Sequence, residues 1–356
     1  MFDANKYGSL NVRMRAQRAD LLKAGTYNLF ARATDLKNLD QMLANTQYKD
    51  IIGSEADKEL PSGIEIDRRL TQFFVDLYHN NRNFIHDSAK KFTDAYGQIY
   101  FLNNIKMLLS VLHGTKQLTD AEEMLISLKE KENAEISELL QSKDIEDFIN
   151  RLSNEDLRNE LDANLGEYRF LDLIYPLIIT IDQYYYKVLL KEIEKLSRND
   201  FNPLKALLGT RIGLQNIEII LRSMSLNLSP KIVGKWLIRA GLNPINRETL
   251  DLLLNSRDME ESLRIIRDET KFKDLANKLL ENIAQSRDPL SDYDNYAEQL
   301  LVHKANSLFR GSSFNIAIFP AFFILKDIEL RNIRTIILGK IDKRPANEIL
   351  DKIIIV

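Results

Sequence analysis

The chain contains no cysteine, and that absence removes disulfides, thiolate catalysis and every Cys-based zinc or iron–sulfur site from consideration. Glycine (13) and proline (8) are scarce in 356 residues, so tight turns are few and long helices are favoured over a many-stranded β architecture. Charge of one sign is missing too. The 49 basic residues face 52 acidic ones, a formal net charge of −3, so the basic footprint of a nucleic-acid binder is lacking. The stretch Met1-Phe2-Asp3-Ala4-Asn5-Lys6 has no apolar signal core. The longest uncharged run, Gly311 to Leu325, spans 15 residues and is interrupted by Pro320, whereas a membrane span needs about 20. The expectation is a soluble protein with no direct membrane span, reaching any membrane through a partner.

Motifs of chemistry are absent as well. There is no G-x-x-x-x-G-K-[ST], no G-x-S-x-G and no H-E-x-x-H. His113-Gly114-Thr115-Lys116 has no glycine at the required distance upstream, and Gly209-Thr210-Arg211-Ile212-Gly213 follows no strand, so neither is expected to cradle phosphate. His79 and His86 could share a helix face but lack an acidic partner one turn away, and read as polar surface. The acidic clusters Glu122-Glu123, Glu130 to Glu138 and Glu260-Glu261 have basic neighbours and read as solvated helix faces. Trp236 reads as a core or interface aromatic. No cofactor, metal or small-molecule substrate is expected, and the chain is not expected to be an enzyme.

What is present is helical periodicity, in a composition ordinary for a globular protein. The clearest stretch is Lys326 to Lys340, where Ile328, Leu330, Ile333, Ile336 and Ile337 form an apolar stripe with Arg331 and Arg334 beside it, and Gly339 reads as a helix stop. Further helices are expected over Tyr7–Lys23, from Thr34-Asp35 to Leu43, over Ile64–Leu112 with a junction near Tyr96-Gly97, over Tyr168–Leu196, from Asn199 with Pro203 in its first turn, over Asp292–Phe309, and at the end through Ile353–Val356. Polar breaks fall at 53–63 and at Gly311-Ser312-Ser313. No stretch alternates with period two, and the fold class is all-α.

Three signals recur along the chain. A helix start appears at Asp35, Asp144 and Asp258, spaced 109 and 114 residues apart. An aromatic position inside a long helix appears at Phe73, Tyr184 and Tyr296, spaced 111 and 112. Copies of the C-terminal stretch begin at Asn104, Pro203 and Asn332, spaced less evenly at 99 and 129, with a looser copy at Asn11. The reading is a threefold repeat with units 1–116, 117–229 and 230–356. The cations Arg13, Lys106, Lys205 and Arg334 recur within it. They either snorkel beside apolar stripes or face a shared axis and an acidic partner.

Arg331-Asn332-Ile333-Arg334-Thr335-Ile336, with Gly311 upstream and Gly339-Lys340 following, resembles the C-terminal signature of the C subunit of archaeal and bacterial A/V-type ATPases, a relative of the d subunit of the eukaryotic vacuolar ATPase. Tyr7 to Arg15 is similar to that family's N-terminal helix, Asp35 to Tyr48 to its short helix ending in Thr-x-Tyr, and Phe201 to Leu208 to its middle helix. The sequence departs from the pattern at Pro203, Gly209-Thr210 and Pro320. The resemblance implies three similar helical domains around a pseudo-threefold axis, funnel-shaped. It implies a non-catalytic rotor part on the cytoplasmic face of the membrane, peripheral, seated on the proteolipid (c/K-type) ring and receiving the central shaft, subunits D and F. Candidate partner contacts are Arg13, Lys106, Lys205, Arg331 and Arg334, with the apolar surface around Phe314, Ile316 and Ile318. The alternative reading is a helical scaffold for another soluble complex.

Overall fold

The computed structural model describes residues 4–53, 61–85, 87–114, 118–239, 241–311 and 314–356. His86, Thr115 and Lys116, most of the polar break at 53–63, and Ser312-Ser313 lie outside the described residues. Among the described residues there are seventeen α-helices, one 3-10 helix and no strand. The chain falls into two compact units. One takes in 87–96 and 155–321, the other 4–86, 97–154 and 322–356.

After a first helix, Ala4–Ala19, a series of six elements recurs three times. It begins with a short helix (Ala24–Ala31, Glu130–Leu139, Arg247–Leu254) and an Asp-capped helix (Leu36–Leu43, Ile145–Arg151, Met259–Glu269). A third element follows, made of turns over 44–52 in the first copy and of helices Glu155–Leu171 and Lys273–Ala284 in the others. Next come a long helix (Gly63–Arg82, Tyr175–Ile193, Tyr293–Arg310) and the longest one (Asp87–His113, Arg198–Ser225, Ile318–Ile341). A short closing piece ends the series: the 3-10 helix Leu118–Met124, then Pro230–Trp236, then Ala346–Leu350.

The Asp-capped helices show why the series repeats locally. Asp35, Asp144 and Asp258 each sit in extended backbone with φ of −156°, −154° and −151°. Each carboxylate accepts the N–H three residues on, from Asn38, Asp147 and Glu261, all at 2.8 Å. The side chains of those three residues in turn accept the N–H of Thr34, Lys143 and Arg257. Two orphan donors of each helix start are thereby satisfied by the same pair of positions.

In the unit containing 155–321, Ile217, Leu221, Trp236, Leu263, Phe272, Leu279 and Tyr293 belong to one buried core. In the other, Phe323 lies edge-on to Phe74 and Tyr78 at 5.5 and 5.3 Å, and Tyr100 meets the same two rings. In the C-terminal stretch that reads as amphipathic, Lys326, Glu329 and Asn332 are buried along with the apolar stripe, because they find partners inside the protein, while Arg331 stays exposed.

Several boundaries differ from the sequence reading. The chain breaks at 83–85 and not at Tyr96-Gly97; Gly97 is mid-helix, and a Cβ there would lie 2.6 Å from the Tyr78 ring. Gly339 likewise is helical, making room for Ile349, and the helix runs on to Ile341. Pro203 lies inside its helix, which starts five residues earlier at Arg198. Pro320 falls in the first turn of Ile318–Ile341, where a missing N–H costs nothing. The last helix ends at Leu350, and Ile353 to Val356 follow it as irregular chain.

Candidate functional site

The strongest recurring polar geometry is a clamp. On each longest helix one asparagine grips the backbone of an isoleucine 22 residues later. Asn104 Nδ2 donates to the Ile126 carbonyl at 3.0 Å, and its Oδ1 accepts the Ile126 N–H at 3.3 Å. Asn216 does the same to Ile238 at 3.0 and 2.7 Å, and Asn332 to Ile354 at 2.6 and 3.0 Å. All three asparagines are buried. A carboxamide suits the task because it carries a donor and an acceptor side by side, matching a peptide edge. In two copies a glutamine on the long helix holds the same closing segment. Gln72 exchanges both bonds with Ser127, and Gln183 donates to the carbonyls of Lys235 and Leu237.

The clamp fixes the register of the repeat, and it corrects the sequence reading. The middle copy of Asn104 and Asn332 is Asn216, at even spacings of 112 and 116 residues, and not Pro203. The position of Lys106 and Arg334, two after the asparagine, is therefore Glu218 in the middle repeat. Glu218 binds Arg222 at 2.7 Å, and its burial pushes its carboxyl up.

Helices of successive repeats also meet in a consistent way. The long helix of the second repeat meets the longest helix of the first, where the Tyr185 hydroxyl donates to the Tyr96 carbonyl at 3.1 Å. The long helix of the third meets the longest of the second, where the Tyr293 hydroxyl donates to the Leu214 carbonyl. The long helix of the first meets the longest of the third through Phe74, Tyr78 and Phe323, and through Asp67 and Arg334. The closing helix Pro230–Trp236 packs on Arg247–Leu254, and Ala346–Leu350 packs on Ala24–Ala31.

A buried charged network stands where the third repeat meets the first. Lys326 Nζ donates to Glu329 Oε2 at 2.6 Å and to the Tyr48 hydroxyl at 3.0 Å, while Glu329 Oε1 accepts the Leu22 N–H at 2.8 Å. The two ionic side chains are 2% and 0% exposed, so this is a fully desolvated pair. Burial holds the Lys326 ammonium below the usual lysine range, with Glu329 pulling the other way. Burial also pushes the hydroxyls of Tyr27 and Tyr48 well up, and Glu329 adds to both.

The residues singled out as partner contacts have varied surroundings. Arg13 Nε donates to Asn81 at 2.6 Å, and its guanidinium lies 4.4 Å from the Phe84 ring centre. Arg334 pairs with Asp67, and Arg331 with Asp327 at 3.2 Å. Lys106 is half-buried; Lys205 is exposed, with Nζ 5.9 Å from the Phe201 ring. The apolar surface expected around Phe314 does not form. Ile316 and Ile318 are buried, because buried Asp200 accepts the Ile316 N–H at 2.9 Å and draws the run inward; Phe314 alone stays exposed. His79 is half-buried, its pKa lowered by burial first and by nearby Lys129 second. Trp236 is a core residue whose Nε1 donates to Glu167 at 2.7 Å. Among the described residues no group of three or more His, Asp or Glu could hold a metal ion, and no helix is long and apolar enough to cross a membrane.

Comparison with known proteins gives a consistent answer. The C subunit of the A-type ATP synthase of Methanocaldococcus jannaschii is 22% identical over 349 residues, covering 98% of this chain and 86% of the relative. The corresponding A-type ATP synthase C subunit of Thermoplasma acidophilum is 23% identical over 368 residues, covering 99% of each. That of Methanosphaera stadtmanae is 23% identical over 254 residues, covering 71% of this chain and 65% of the relative. The sequence profile of the ATP synthase (C/AC39) subunit matches residues 10–352, nearly the whole repeat series with all three clamp asparagines, and the chain belongs to that family.

Proposed function

We propose that the chain is the rotor piece that couples the central shaft, subunits D and F, to the membrane proteolipid ring, held peripherally at the cytoplasmic face. Family membership makes it a structural, non-catalytic component of an A/V-type ATPase, a machine that links ATP synthesis or hydrolysis to ion transport. The observation that carries the coupling role is the cyclic order of helix pairings, second on first, third on second, first on third. In this reading the three repeats are three helical domains around a common axis, the funnel that the family resemblance implies. Rigid helices and a broad shape-matched seat transmit torque better than a few strong contacts.

Co-expression with subunits D and F and the proteolipid ring of the same organism, followed by native mass spectrometry, tests this. The expected product carries the chain together with both the shaft and the ring. A chain that binds neither, and joins an unrelated soluble complex, refutes it. Within that reading Lys106 and Lys205 are two of the four recurring cations, and reversing both tests whether they meet the shaft. Lys106→Glu with Lys205→Glu is expected to weaken shaft binding, and unchanged binding removes both from the interface.

A further inference from the structure

The middle repeat carries an open groove of about 580 Å³ between helix Tyr175–Ile193 and residues 234–239 with Gly241. Leu190, Leu237 and Ile238 form its floor. Lys187, Lys191, Lys235 and Arg239 stand around it against one carboxylate, Glu194. Lys187 and Lys235 are paired with Glu160 and Glu167, but both lysines are largely exposed and such pairs contribute little. Lys191 and Arg239 have no carboxylate partner among the described residues.

The first repeat shows what such a groove accepts. Helix Glu130–Leu139 starts immediately after Lys129, the position that corresponds to Gly241. The chain just ahead of its first turn, which carries Glu130 and Glu132, is held to the long helix of the first repeat, where Gln72 exchanges both bonds with the Ser127 backbone. Asn133 ties the turn down through both backbone groups of Leu128. The chain thus fills its own first groove with an acidic helix start.

The middle repeat leaves the groove empty for a local reason. Its helix is delayed to Arg247, and the residues between run along the longest helix at Gly209 and Gly213. A Cβ on Gly209 would run into the Leu242 carbonyl, and one on Gly213 would lie 2.8 Å from Pro244 and 2.6 Å from Phe272. The counterpart of Gly213 in the first repeat is Phe101, which leaves no such space. Two glycines therefore draw the chain away from the groove, and Lys187 and Lys191 replace the Asp76 and Asn80 of the first repeat at its edge.

We propose that this groove is a docking site for the acidic first turn of an α-helix supplied by a partner protein. The proposal holds whichever complex the chain joins. A fluorescein-labelled peptide with the sequence of residues 128–140, Leu-Lys-Glu-Lys-Glu-Asn-Ala-Glu-Ile-Ser-Glu-Leu-Leu, is titrated against the full chain by anisotropy. Saturable binding is expected, weakened at least about tenfold by Lys191→Glu with Arg239→Glu and by a peptide with its four glutamates changed to glutamine. Both substituted residues are exposed, and unchanged circular dichroism of the variant excludes misfolding as the cause. Binding that is absent, or equal in the double variant, overturns the proposal. So does displacement of the peptide by equimolar inorganic phosphate, or by phosphatidylglycerol vesicles, which would assign the groove to a small anion or a lipid surface.

Discussion

Replacing the clamp asparagines one at a time turns the repeat into its own control. Asn216→Ala removes two hydrogen bonds and strands the N–H and the C=O of Ile238, both buried. Each stranded group costs ~1–3 kcal/mol, so the expected loss is about 3–4 kcal/mol. Asn332→Ala is expected to cost nearly as much, since its bonds are 2.6 and 3.0 Å and Ile354 is buried. Asn104→Ala should cost about half, because its bonds are longer at 3.0 and 3.3 Å and water reaches the half-buried Ile126 to replace them. Asn216→Asp sharpens the test. It keeps an acceptor for the Ile238 N–H but sets a carboxylate oxygen against the Ile238 carbonyl in a dry site, so it should be worse than alanine at pH 7 and recover as pH falls and the acid protonates. Urea unfolding by circular dichroism gives the order, and amide exchange at Ile126, Ile238 and Ile354 gives the locality. If the three alanines cost the same, or if aspartate is no worse than alanine, the clamps do not carry the energy assigned to them.

Three further outcomes follow from the same geometry. Glu329→Gln leaves the Lys326 charge buried without its counter-ion and is expected to cost ~3–5 kcal/mol, whereas Lys326→Met with Glu329→Leu should cost much less, as a double-mutant cycle in urea would show. Burial raises the hydroxyls of Tyr27, Tyr48 and Tyr293 and pushes Tyr175 and Tyr186 up to about 12. The folded chain keeps those protons longer than the unfolded one, so their contribution is complete below pH 10 and is lost as pH rises from 10 through 12; Lys326, shifted downward, works in the opposite direction. Tyr168 and Lys187 are raised as well, and Lys271 and Lys340 lowered, so raised groups outnumber lowered ones; a midpoint that holds steady between pH 10 and 11.5 would contradict that balance. Gly213→Ala drives a methyl against Phe272 and Pro244 and is expected to cost ~1–3 kcal/mol in urea unfolding, while Gly166→Ala, with open space around it, should be neutral or slightly stabilising.

The helical class and the Asp-capped starts were legible because both are local. A scarcity of glycine and proline, a 3.6-residue period and an Asp before an apolar run each act within a few residues. The register of the long helices was harder. Pro203-Leu204-Lys205 competes with Asn216-Ile217-Glu218 as the middle copy if one follows the cation, and it wins only on that feature. The even spacing of Asn104, Asn216 and Asn332, each with an isoleucine 22 residues on, was the better signal, because the asparagine does the bonding and the next polar position is free to change sign. Gly97 and Gly339 misled for a related reason. A glycine marks either a turn or a close approach, and Tyr78 and Ile349, which explain them, are distant in sequence. The buried Lys326–Glu329 pair was invisible as such, since Tyr48 and Leu22 lie some 280 and 307 residues away along the chain.

That last separation bears on how the chain is made. The second and third repeats meet partners made shortly before them, so those contacts form as the chain emerges. The first repeat cannot. Gly63–Arg82 waits for Ile318–Ile341, and Leu22 for Glu329, across nearly the whole length of translation. Closing a loop of that size costs little more entropy than closing one half as long, but it comes last, and until then Phe74 and Tyr78 have Tyr100 beside them but lack the Phe323 ring. At ~5–20 residues per second the exposed interval lasts some tens of seconds. The N-terminal third of this protein is therefore the part that depends most on protection before the final helix arrives.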